Sequence, residues 1–396
     1  MDGINRRLFL QSMGSMGLAG ALPEAAFAAH ANSGHIGHEV AQPSQDAAAA
    51  PKYSIRFAVC GMSHDHIYGM VNAVIRGGGT LVAFHGDEPD KAATFGSRYP
   101  NAKKASSEKE ILDDPSIQLI LTSKIPNQRA VLGVEAMKHG KDFLSDKPGM
   151  TTLEQLAEVR KTIAETKRIY GILYSEMLEV PAAVKAAELV RAGAIGRVIQ
   201  TINIAPHQIL QKSGDNGGGT PRPDWFWEPE KYGGILCDIG SHQVYQFLHF
   251  TDSDHAEVGE SQVANIAHPE HPKFQDFGDM VLRGNKGFGY VRLDWFTPDG
   301  LGTWGDGRLF VLGTEGYIEV RKYTNVGVSH QGNNLFITDS KQSRYIDCNN
   351  VTLPFGPQFV ADIVNRTHTG QNQEQALLAA ELVIKAQIAA KHITLT

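Results

Sequence analysis

The stretch Asp142-Phe143-Leu144-Ser145-Asp146-Lys147-Pro148-Gly149-Met150 divides the chain into two parts with different sequence patterns. Phe143 and Leu144 predict an apolar strand, which ends in a carboxylate, an ammonium group and a proline. Because proline cannot donate to a sheet ladder, Lys147 is expected at the carboxyl end of the strand. Ligands bind at that edge in an open α/β sheet. The stretch therefore predicts a ligand-contacting lysine held by Asp146, and the plain alternative is a salt bridge on a polar turn.

Before this stretch, apolar runs of strand length alternate with helical patterns. Ile55-Arg56-Phe57-Ala58-Val59-Cys60 is the first buried-type strand, and a turn at Gly61 leads into the first helix. The last helix of the series starts at Thr151-Thr152-Leu153-Glu154, which has capping-box form. Strands and helices that alternate in this way form parallel, doubly wound sheets. Residues 52–168 are therefore predicted to form one domain of that type.

The N-terminus carries an export pattern. Asn5-Arg6-Arg7-Leu8-Phe9-Leu10-Gln11 has the twin-arginine form, a weakly apolar Gly/Ala-rich run follows, and Ala26-Phe27-Ala28 is a small-x-small cleavage pattern. Residues 1–28 are therefore predicted to be a twin-arginine signal, and residues 29–51, rich in Ala, His, Gln and Pro, a flexible arm. No later apolar run reaches the roughly 18 residues of a membrane span, so we expect a periplasmic protein with no membrane contact after signal cleavage.

The export route restricts the chemistry. Substrates of the twin-arginine route leave the cytoplasm folded, often with a cofactor inside, and no free nicotinamide pool is expected outside. A redox enzyme exported in this way has to keep its cofactor and recycle it in place. Cys60, Cys237 and Cys348 are too few and too scattered for a disulfide framework, and the first two lie in apolar runs typical of core positions.

The composition of the chain limits the kinds of molecule that the protein is expected to bind. A formal net charge of −6 over 396 residues argues against a nucleic-acid or anionic-membrane partner. None of the 16 histidines lies in an HExxH motif and no paired CxxC motifs mark a zinc site, so no metal is predicted. The pair His64 and His66 stays open as a metal or substrate contact, although such a pair is more often structural.

The order of motifs resembles the glucose–fructose oxidoreductase / inositol dehydrogenase / MocA family. Asp146-Lys147-Pro148 matches the family's Glu-Lys-Pro, and residues 233–242, GGILCDIGSH, match its GG-x-L-x-D-x-G-x-H signature. Gly313-Thr314-Glu315-Gly316 and Thr303-Trp304-Gly305-Asp306 also fit. The resemblance implies an α/β fold, with an N-terminal Rossmann domain built on a doubly wound parallel sheet and a C-terminal α/β domain, residues 169–396, with a large open mixed sheet. It also implies a homo-oligomer, either a dimer or a tetramer.

The resemblance further implies that NAD or NADP is tightly bound at the first domain. The usual GxGxxG reads Gly61-Met62-Ser63-His64-Asp65-His66, so only the first glycine is kept and His66 must change the packing. The acidic residue for the ribose falls at Asp87, one place late, and the usual Pro-Asn-x-x-His reads Pro126-Asn127-Gln128-Arg129. The predicted cofactor-binding residues are Gly61, Ser63, His64, Asp87, Pro126, Asn127, Arg129, Asp146 and Lys147.

The same resemblance implies that Lys147 and His242 are the catalytic groups, which would flank the reacting carbon and share the hydroxyl proton. Asp238 comes four residues before His242 and is expected to lie on the same helix face and orient the ring. The structural alternative for these two is a buried pair at a helix start. Candidate substrate contacts are Tyr174, His207, Trp225 and Trp227, although tryptophans in a Gly/Pro-rich loop can equally pack on the core.

Three functions fit these residues. The preferred one is a periplasmic oxidoreductase that transfers a hydride between a retained nicotinamide cofactor and a hydroxyl or keto group of a carbohydrate, either a sugar or a polyol. The second is an NAD-dependent glycosidase or lyase, in which transient oxidation at C3 acidifies the C2 proton and elimination breaks the bond. The third is a non-catalytic sugar-binding protein that has lost its cofactor, and the intact Lys147, Asp238 and His242 argue against it.

Overall fold

The computed structural model of the protein describes residues 37–42, 51–209, 211–212, 219–220 and 222–395. The predicted signal, residues 1–28, lies outside the described residues. The first described element is a short strand, β1 (Gly37–Val40). No helix in the described ranges combines the length and the apolar character needed to cross a bilayer.

The first domain is a parallel sheet in which strands and helices alternate. Its strands are β2 (Ile55–Cys60), β3 (Gly79–His85), β4 (Lys103–Lys104), β5 (Leu119–Thr122), β6 (Asp142–Asp146) and β7 (Tyr170–Leu173). The helices between them are α1 (His66–Arg76), α2 (Pro89–Arg98), α3 (Glu108–Asp113), α4 (Pro126–Lys138) and α5 (Leu153–Thr166). The strand order is β4-β3-β2-β5-β6-β7, and every pairing is parallel. The predicted doubly wound sheet is therefore confirmed.

The order of the strands creates a crevice at one edge of this sheet. β3 pairs with one side of β2 and β5 with the other, so the connections leave β2 in opposite directions. All five residues of β6 are buried, as expected for a strand that is covered on both faces. The predicted helix cap is also present, since the Thr152 hydroxyl accepts a hydrogen bond from the Gln155 amide at the start of α5. The carboxyl ends of β2, β5 and β6 meet at the crevice, where open α/β sheets bind ligands.

The second domain is a large mixed sheet with helices. Its helices are α6 (Ser175–Leu178), α7 (Pro181–Arg191), α8 (Pro229–Tyr232), α9 (Ile235–Asp238), α10 (Gly240–Thr251), α11 (Phe355–Asn365) and α12 (Gln373–Ala389). Its strands are β8 (Val198–Pro206), β9 (Gln211–Lys212), β10 (Gly219–Thr220), β11 (Ala256–Ala264), β12 (Phe277–Gly284), β13 (Phe288–Asp294), β14 (Arg308–Gly313), β15 (Gly316–Arg321), β16 (Asn334–Asp339), β17 (Ser343–Asp347) and β18 (Lys391–Ile393). Among the described residues, ten strands form one sheet in the order β1-β17-β16-β15-β14-β8-β13-β12-β11-β18, while β9 and β10 form a separate pair.

Helices cover one face of this large sheet and leave the other open. α10 packs on β8 and β13, and α12 packs on β11 and on α10. Met280, Leu282 and Val291 point towards these helices and are fully buried. Val281 and Phe288 alternate with them along β12 and β13, point the other way and are exposed. The predicted open mixed sheet is thus confirmed, and its layers place α9 and α10 next to the crevice of the first domain.

The structure corrects two parts of the predicted domain division. The prediction of a flexible arm over residues 29–51 is wrong for residues 37–42, the described part that contains β1: this strand pairs in parallel with β17, and Ala41 behind it is buried. The domain boundary at residue 168 falls one strand early, because β7 belongs to the first sheet. The chain also returns to the first domain near its end: α11 packs on α1, and the Gln373 side chain accepts a hydrogen bond from the amide of Tyr170 at 2.8 Å. Residues 355–373 therefore help to build the first domain as well as the second.

Candidate active site

A cavity of about 430 Å³ lies where the carboxyl ends of β2 and β6 face α9 and α10. Side chains from both domains surround it, so the cavity exists only in the folded chain as a whole. Its lining comprises His64, Asp65, His66, Pro126, Arg129, Asp146, Lys147, Ser175, Glu176, His207, Gln208, Arg222, Trp225, Phe226, Asp238, His242, Trp295, Trp304 and Tyr323. The sequence prediction that Lys147 faces a ligand crevice therefore agrees with the structure, and the three predicted catalytic residues are brought together.

Lys147 pairs with Asp238 across the cavity floor. The Nζ atom of Lys147 lies 2.6 Å from Oδ1 of Asp238, and both side chains are largely buried. Burial acts to raise the pKa of the Asp238 carboxyl, but the Lys147 ammonium outweighs it and holds that pKa below its usual value. Asp238 is therefore ionised and fixes the lysine at the cavity. The prediction that Asp146 holds Lys147 is wrong, because the partner comes from α9.

His242 lies on α10, and its ring faces the cavity without a fixed partner. Its Nδ1 atom is buried and accepts or donates no hydrogen bond within the described residues. Burial lowers the pKa of His242 to about 3, while Glu176 opposes this and Lys147 adds to it. The ring is therefore neutral near pH 7. The prediction that Asp238 orients this ring is wrong, because α9 ends at Asp238, α10 begins at Gly240, and the carboxylate turns to Lys147 instead.

The Asp146 carboxylate contacts two histidines and an arginine below the cavity. Oδ1 of Asp146 lies 2.9 Å from Nδ1 of His66, and Oδ2 lies 3.5 Å from Nδ1 of His64 and 3.1 Å from the guanidinium of Arg129. Burial acts to raise the pKa of the Asp146 carboxyl, but His66 and Arg129 hold it well below its usual value. Arg129 also donates to the carbonyl oxygens of Lys124 and Lys147. A fully buried guanidinium thus ties together the turns that follow β5 and β6.

The far side of the cavity is aromatic and polar. Trp225 and His207 line it, as predicted, and the His207 ring lies 4.7 Å from the ring of Trp304. Trp227 does not line the cavity, because its ring stacks on His271 at 3.8 Å. Tyr174 is also misassigned: it is fully buried and its hydroxyl donates to the carbonyl of Ala376. Two of the four predicted substrate contacts therefore do not line the cavity.

A nicotinamide dinucleotide requires a turn after the first strand of the sheet that its phosphates can approach closely. Gly61 has a φ of +86°, and a Cβ atom there would lie 2.1 Å from Cγ of Lys124. The Lys124 side chain thus occupies the close approach that a phosphate normally uses, and its Nζ contacts Asp87 and Glu108 at 3.3 and 2.5 Å. A second cavity of about 450 Å³, lined by Asp87, Lys124 and Asn127 among others, lies beyond it at the same edge. The residues would fit the dinucleotide if the Lys124 side chain moved from Gly61, and its ammonium would then be the group that holds the phosphates.

The predicted cofactor residues divide between the two cavities. His64, Pro126, Arg129, Asp146 and Lys147 line the first, at the end expected for the nicotinamide, while Asp87 and Asn127 line the second. Gly61 lies in the turn after β2 and lines neither cavity. Ser63 is buried and lines neither, and its carbonyl accepts a hydrogen bond from Lys91. Their direct contact with a cofactor stays a prediction.

Sequence reasoning missed several residues of this site. Glu176 is buried at the cavity, and its Oε2 accepts from Lys322 Nζ at 2.5 Å and from Gln243 at 2.8 Å. Burial acts to raise the pKa of Glu176, but the Lys322 ammonium outweighs it and lowers that pKa to about 2. Arg222 also lines the cavity and lies over the Trp295 ring. A carboxylate directly after the strand that connects the domains was a usable signal for Glu176, whereas nothing local marks Lys322 or Arg222.

Family profiles match both halves of the described chain. A profile described as "Oxidoreductase family, NAD-binding Rossmann fold" matches residues 55–174. A second, described as "GFO/IDH/MocA C-terminal domain", matches residues 183–319. The two matched ranges contain Lys147 and Asp146 in the first and Asp238 and His242 in the second, so the cavity combines residues of both.

Individual proteins agree with these profiles. The scyllo-inositol 2-dehydrogenase (NAD(+)) of Bacillus subtilis is 23% identical over 305 residues, which cover 74% of this chain and 82% of that protein. The D-xylose dehydrogenase of Paenarthrobacter nicotinovorans is 24% identical over 155 residues, or 39% of each chain. The chain spans half or less of the length of the first curated relatives it matches. A protein of Erwinia carotovora atroseptica, whose proposed class is oxidoreductase, has a crystal structure that matches with 44% identity and a TM-score of 0.81, over 86% of this chain and all of that one.

Proposed function

We propose that this chain, which belongs to the GFO/IDH/MocA family of NAD-binding oxidoreductases, transfers a hydride between a retained nicotinamide cofactor and a hydroxyl or keto group of a sugar or polyol. The observation that carries the proposal is the Lys147–Asp238 pair facing the unpartnered His242 in one cavity at the carboxyl edge of a Rossmann sheet. These are the groups that alcohol oxidation needs, namely a charged donor for the reacting oxygen and a neutral acceptor for its proton.

Each residue has a distinct part in the proposed reaction. Lys147, held by Asp238, donates a hydrogen bond to the reacting oxygen and stabilises the negative charge that develops there. His242 is neutral near pH 7 and lines the cavity, so its ring can accept the hydroxyl proton of an alcohol. In the direction of reduction the same ring returns a proton to the alkoxide. When bound, the nicotinamide supplies the acceptor or donor of the hydride.

The lining of the cavity suits a polyhydroxylated substrate. Trp225 and Trp304 offer flat apolar faces of the kind that stack on sugar rings, and Glu176 and Arg222 offer charged groups for hydroxyls. The volume of about 430 Å³ lies in the range of small-molecule sites. The dehydrogenases of inositol and xylose among the relatives support the same class of substrate. A sugar or polyol of monosaccharide size is therefore the proposed substrate.

The proposed location is the periplasm. The twin-arginine pattern at Arg6 and Arg7 supports it, and a retained cofactor is the chemical requirement that follows from it. Replacing both arginines by lysine is expected to leave the protein in the cytoplasmic fraction of its host, whereas the parent is recovered from the periplasm. Equal distribution of parent and variant would remove this part of the proposal.

The experiment that tests the proposal starts with purified, untagged protein. Nucleotide released on denaturation is identified, and the folded protein is then incubated with a panel of sugars and polyols while nicotinamide absorbance is followed. We expect bound NAD or NADP that survives gel filtration, and reduction of that cofactor by at least one substrate. Protein that contains no nucleotide and binds neither dinucleotide at millimolar concentration contradicts the proposal.

A redox-neutral cleavage is the second candidate function. Such a reaction needs one base more than simple oxidation, and His207 provides it in the same cavity as His242. Burial lowers the pKa of His207 to about 4, with Glu176 acting against this, so it is neutral near pH 7. The two functions separate in a product assay, because cleavage releases a sugar without net reduction of the cofactor, whereas oxidation leaves one reduced cofactor per product.

A further inference from the structure

Three metal-binding side chains converge at one corner of the cavity. One ring nitrogen each of His64 and His66 and a carboxylate oxygen of Asp146 all lie within 4.8 Å of one another. They come from the turn after β2, the first residue of α1 and the last residue of β6, so the sheet itself fixes their positions. Ligand atoms in a tetrahedral site lie roughly 3.3 Å apart, which small side-chain rotations provide from this arrangement.

Two of these atoms face each other as acceptors. The backbone N–H of His66 points at Nδ1 of His64 at 3.4 Å, which places a lone pair and not a proton on that nitrogen. Oδ2 of Asp146 lies 3.5 Å from the same nitrogen and accepts no hydrogen bond, although the Arg129 guanidinium lies 3.1 Å away. Buried acceptors normally have a donor. Oδ2 of Asp146 is therefore a buried carboxylate oxygen without a hydrogen-bond donor, and a cation bound between it and the two imidazoles would satisfy it.

From this geometry we propose that His64, His66 and Asp146 bind one divalent first-row transition-metal ion of the zinc or iron(II) type. Two imidazoles and one carboxylate suit these ions, and three protein ligands leave further positions open. The open positions face the cavity, since all three residues belong to its lining. Arg129 fixes the orientation of the carboxylate, as groups behind metal ligands commonly do.

The location of the ion gives it a defined task. The His66 ring lies 6.3 Å from the ring of His242, so an oxygen ligand of the ion would point into the space that His242 and Lys147 enclose. An ion there binds and polarises a substrate oxygen as a Lewis acid. This proposal goes beyond the oxidoreductase function, because it concerns binding by residues that replace the second half of the usual glycine-rich turn.

The test measures metal binding alone, without cofactor or substrate. Untagged full-length protein is stripped with chelator and titrated with Co²⁺, whose visible absorption reports nitrogen and oxygen ligands, and Zn²⁺ is then added as competitor. We expect one Co²⁺ per chain with a visible band that Zn²⁺ removes. His66→Ala is expected to weaken binding by at least about 10-fold, which is the lower end of the effect of losing even an indirect partner.

The control is His255→Ala. His255 also contacts a carboxylate, Asp254, at 2.6 Å, but at an exposed site that does not combine three ligands within the described residues. This variant is expected to bind Co²⁺ like the parent. A second variant, His64→Ala, and melting curves distinguish lost metal binding from a folding defect in His66→Ala. Both histidine variants must lose the visible band while their melting temperatures stay within a few degrees of the parent. Binding that is equal in parent, His66→Ala and His64→Ala, or the absence of a visible band, overturns the proposal and leaves the oxidoreductase function untouched.

Discussion

At the scale of single residues, Lys147 has both a chemical and an electrostatic role, and one substitution cannot separate them. Lys147→Ala is expected to lower kcat by about 10²-fold or more, the usual contribution of a general acid or base. It also leaves the Asp238 carboxylate buried without its cation, which costs up to about 3–5 kcal/mol in a closed interior and less here, because the cavity admits water. Activity on the best substrate and the melting temperature are measured together, and both should fall.

The arginine variant separates these two roles. Lys147→Arg keeps a positive charge beside Asp238, so the melting temperature should recover most of the loss. The rate should stay low, because a guanidinium has a different shape and does not exchange a proton near neutral pH. Recovery of both quantities would mean that Lys147 is only the partner in a salt bridge.

His249 provides a residue-scale test of pH dependence away from the cavity. Burial lowers the pKa of His249 to about 4, Arg191 adds to this and Asp252 opposes it, whereas an unfolded chain has the ordinary value of 6.5. Between these values the unfolded state binds a proton that the folded state does not, so stability falls as the pH drops from about 6.5 to about 4. The contribution is on the order of 3 kcal/mol at most.

The measurement compares melting temperatures at pH 7 and pH 5 in parent, His249→Gln and His255→Gln. The His249 variant should lose less stability on acidification than the parent, because it has no proton to bind at that position. The exposed His255 serves as the control and should melt with the parental pH dependence. Parallel curves for all three proteins would contradict a neutral His249 in the folded state.

Residues also show where prediction from the sequence stops. Lys147, Asp238 and His242 were identified because they stand in motifs of fixed spacing, and the fold brings them together as expected. Their pairing was not predictable: Asp146 is adjacent to Lys147 in the chain, yet it contacts His66, 80 residues away. Spacing along a chain fixes which face a residue occupies, but the choice among several carboxylates depends on the packing of elements that are distant in sequence.

At the scale of elements, the Glu176–Lys322 pair joins α6 to the end of β15 inside the protein. Both side chains are buried, so removing one charge leaves the other uncompensated. Lys322→Met is expected to lower the free energy of unfolding by about 3–5 kcal/mol, measured by urea titration. The double variant Glu176→Gln/Lys322→Met should recover part of that loss, since neither partner is then charged.

A surface pair provides the comparison. Lys103 and Glu110 lie 2.5 Å apart, as close as the buried pair, but the lysine side chain is 73% exposed. Lys103→Met should therefore leave the free energy of unfolding almost unchanged. Equal costs for the two lysine variants would show that burial does not govern the Glu176–Lys322 pair.

Element boundaries were predicted where the composition of the sequence changes. They were missed where pairing with a neighbouring strand determines whether a segment becomes a strand. The alternation before Lys147 specified the parallel sheet, because each strand is a continuous apolar run. Gly37–Val40 has no such pattern, and three of its four residues are exposed. It becomes a strand because the edge of β17 is open to it, with the amide of Ala41 donating to the carbonyl of Asp347 at 2.9 Å.

Removing residues 29–42 is therefore expected to lower the melting temperature by only a few degrees, because an edge strand contributes little buried area.

At the scale of the whole molecule, the open face of the large sheet is the main apolar surface that the two domains leave uncovered among the described residues. Phe288 is 53% exposed, and Leu312 and Tyr317 are each 44% exposed. They lie on β13, β14 and β15, which belong to the same sheet, and they alternate with buried positions of the helix-covered face. Contiguous apolar surface of this kind marks association sites in soluble proteins.

A second copy of the chain is the partner expected on this face, so the protein should be at least a dimer at tens of micromolar by light scattering. Phe288→Glu combined with Leu312→Glu should shift it towards the monomer, because each dimer would then bury four carboxylates without partners. Ile388→Glu is the matched control: Ile388 is 70% exposed, but it lies on α12, the helix that packs against the covered face. A monomeric parent, or a control that dissociates as readily as the double variant, would exclude the open face as the interface. Since the cavity lies on the side of the sheet that α10 covers, the dissociated variant should keep the turnover of the parent.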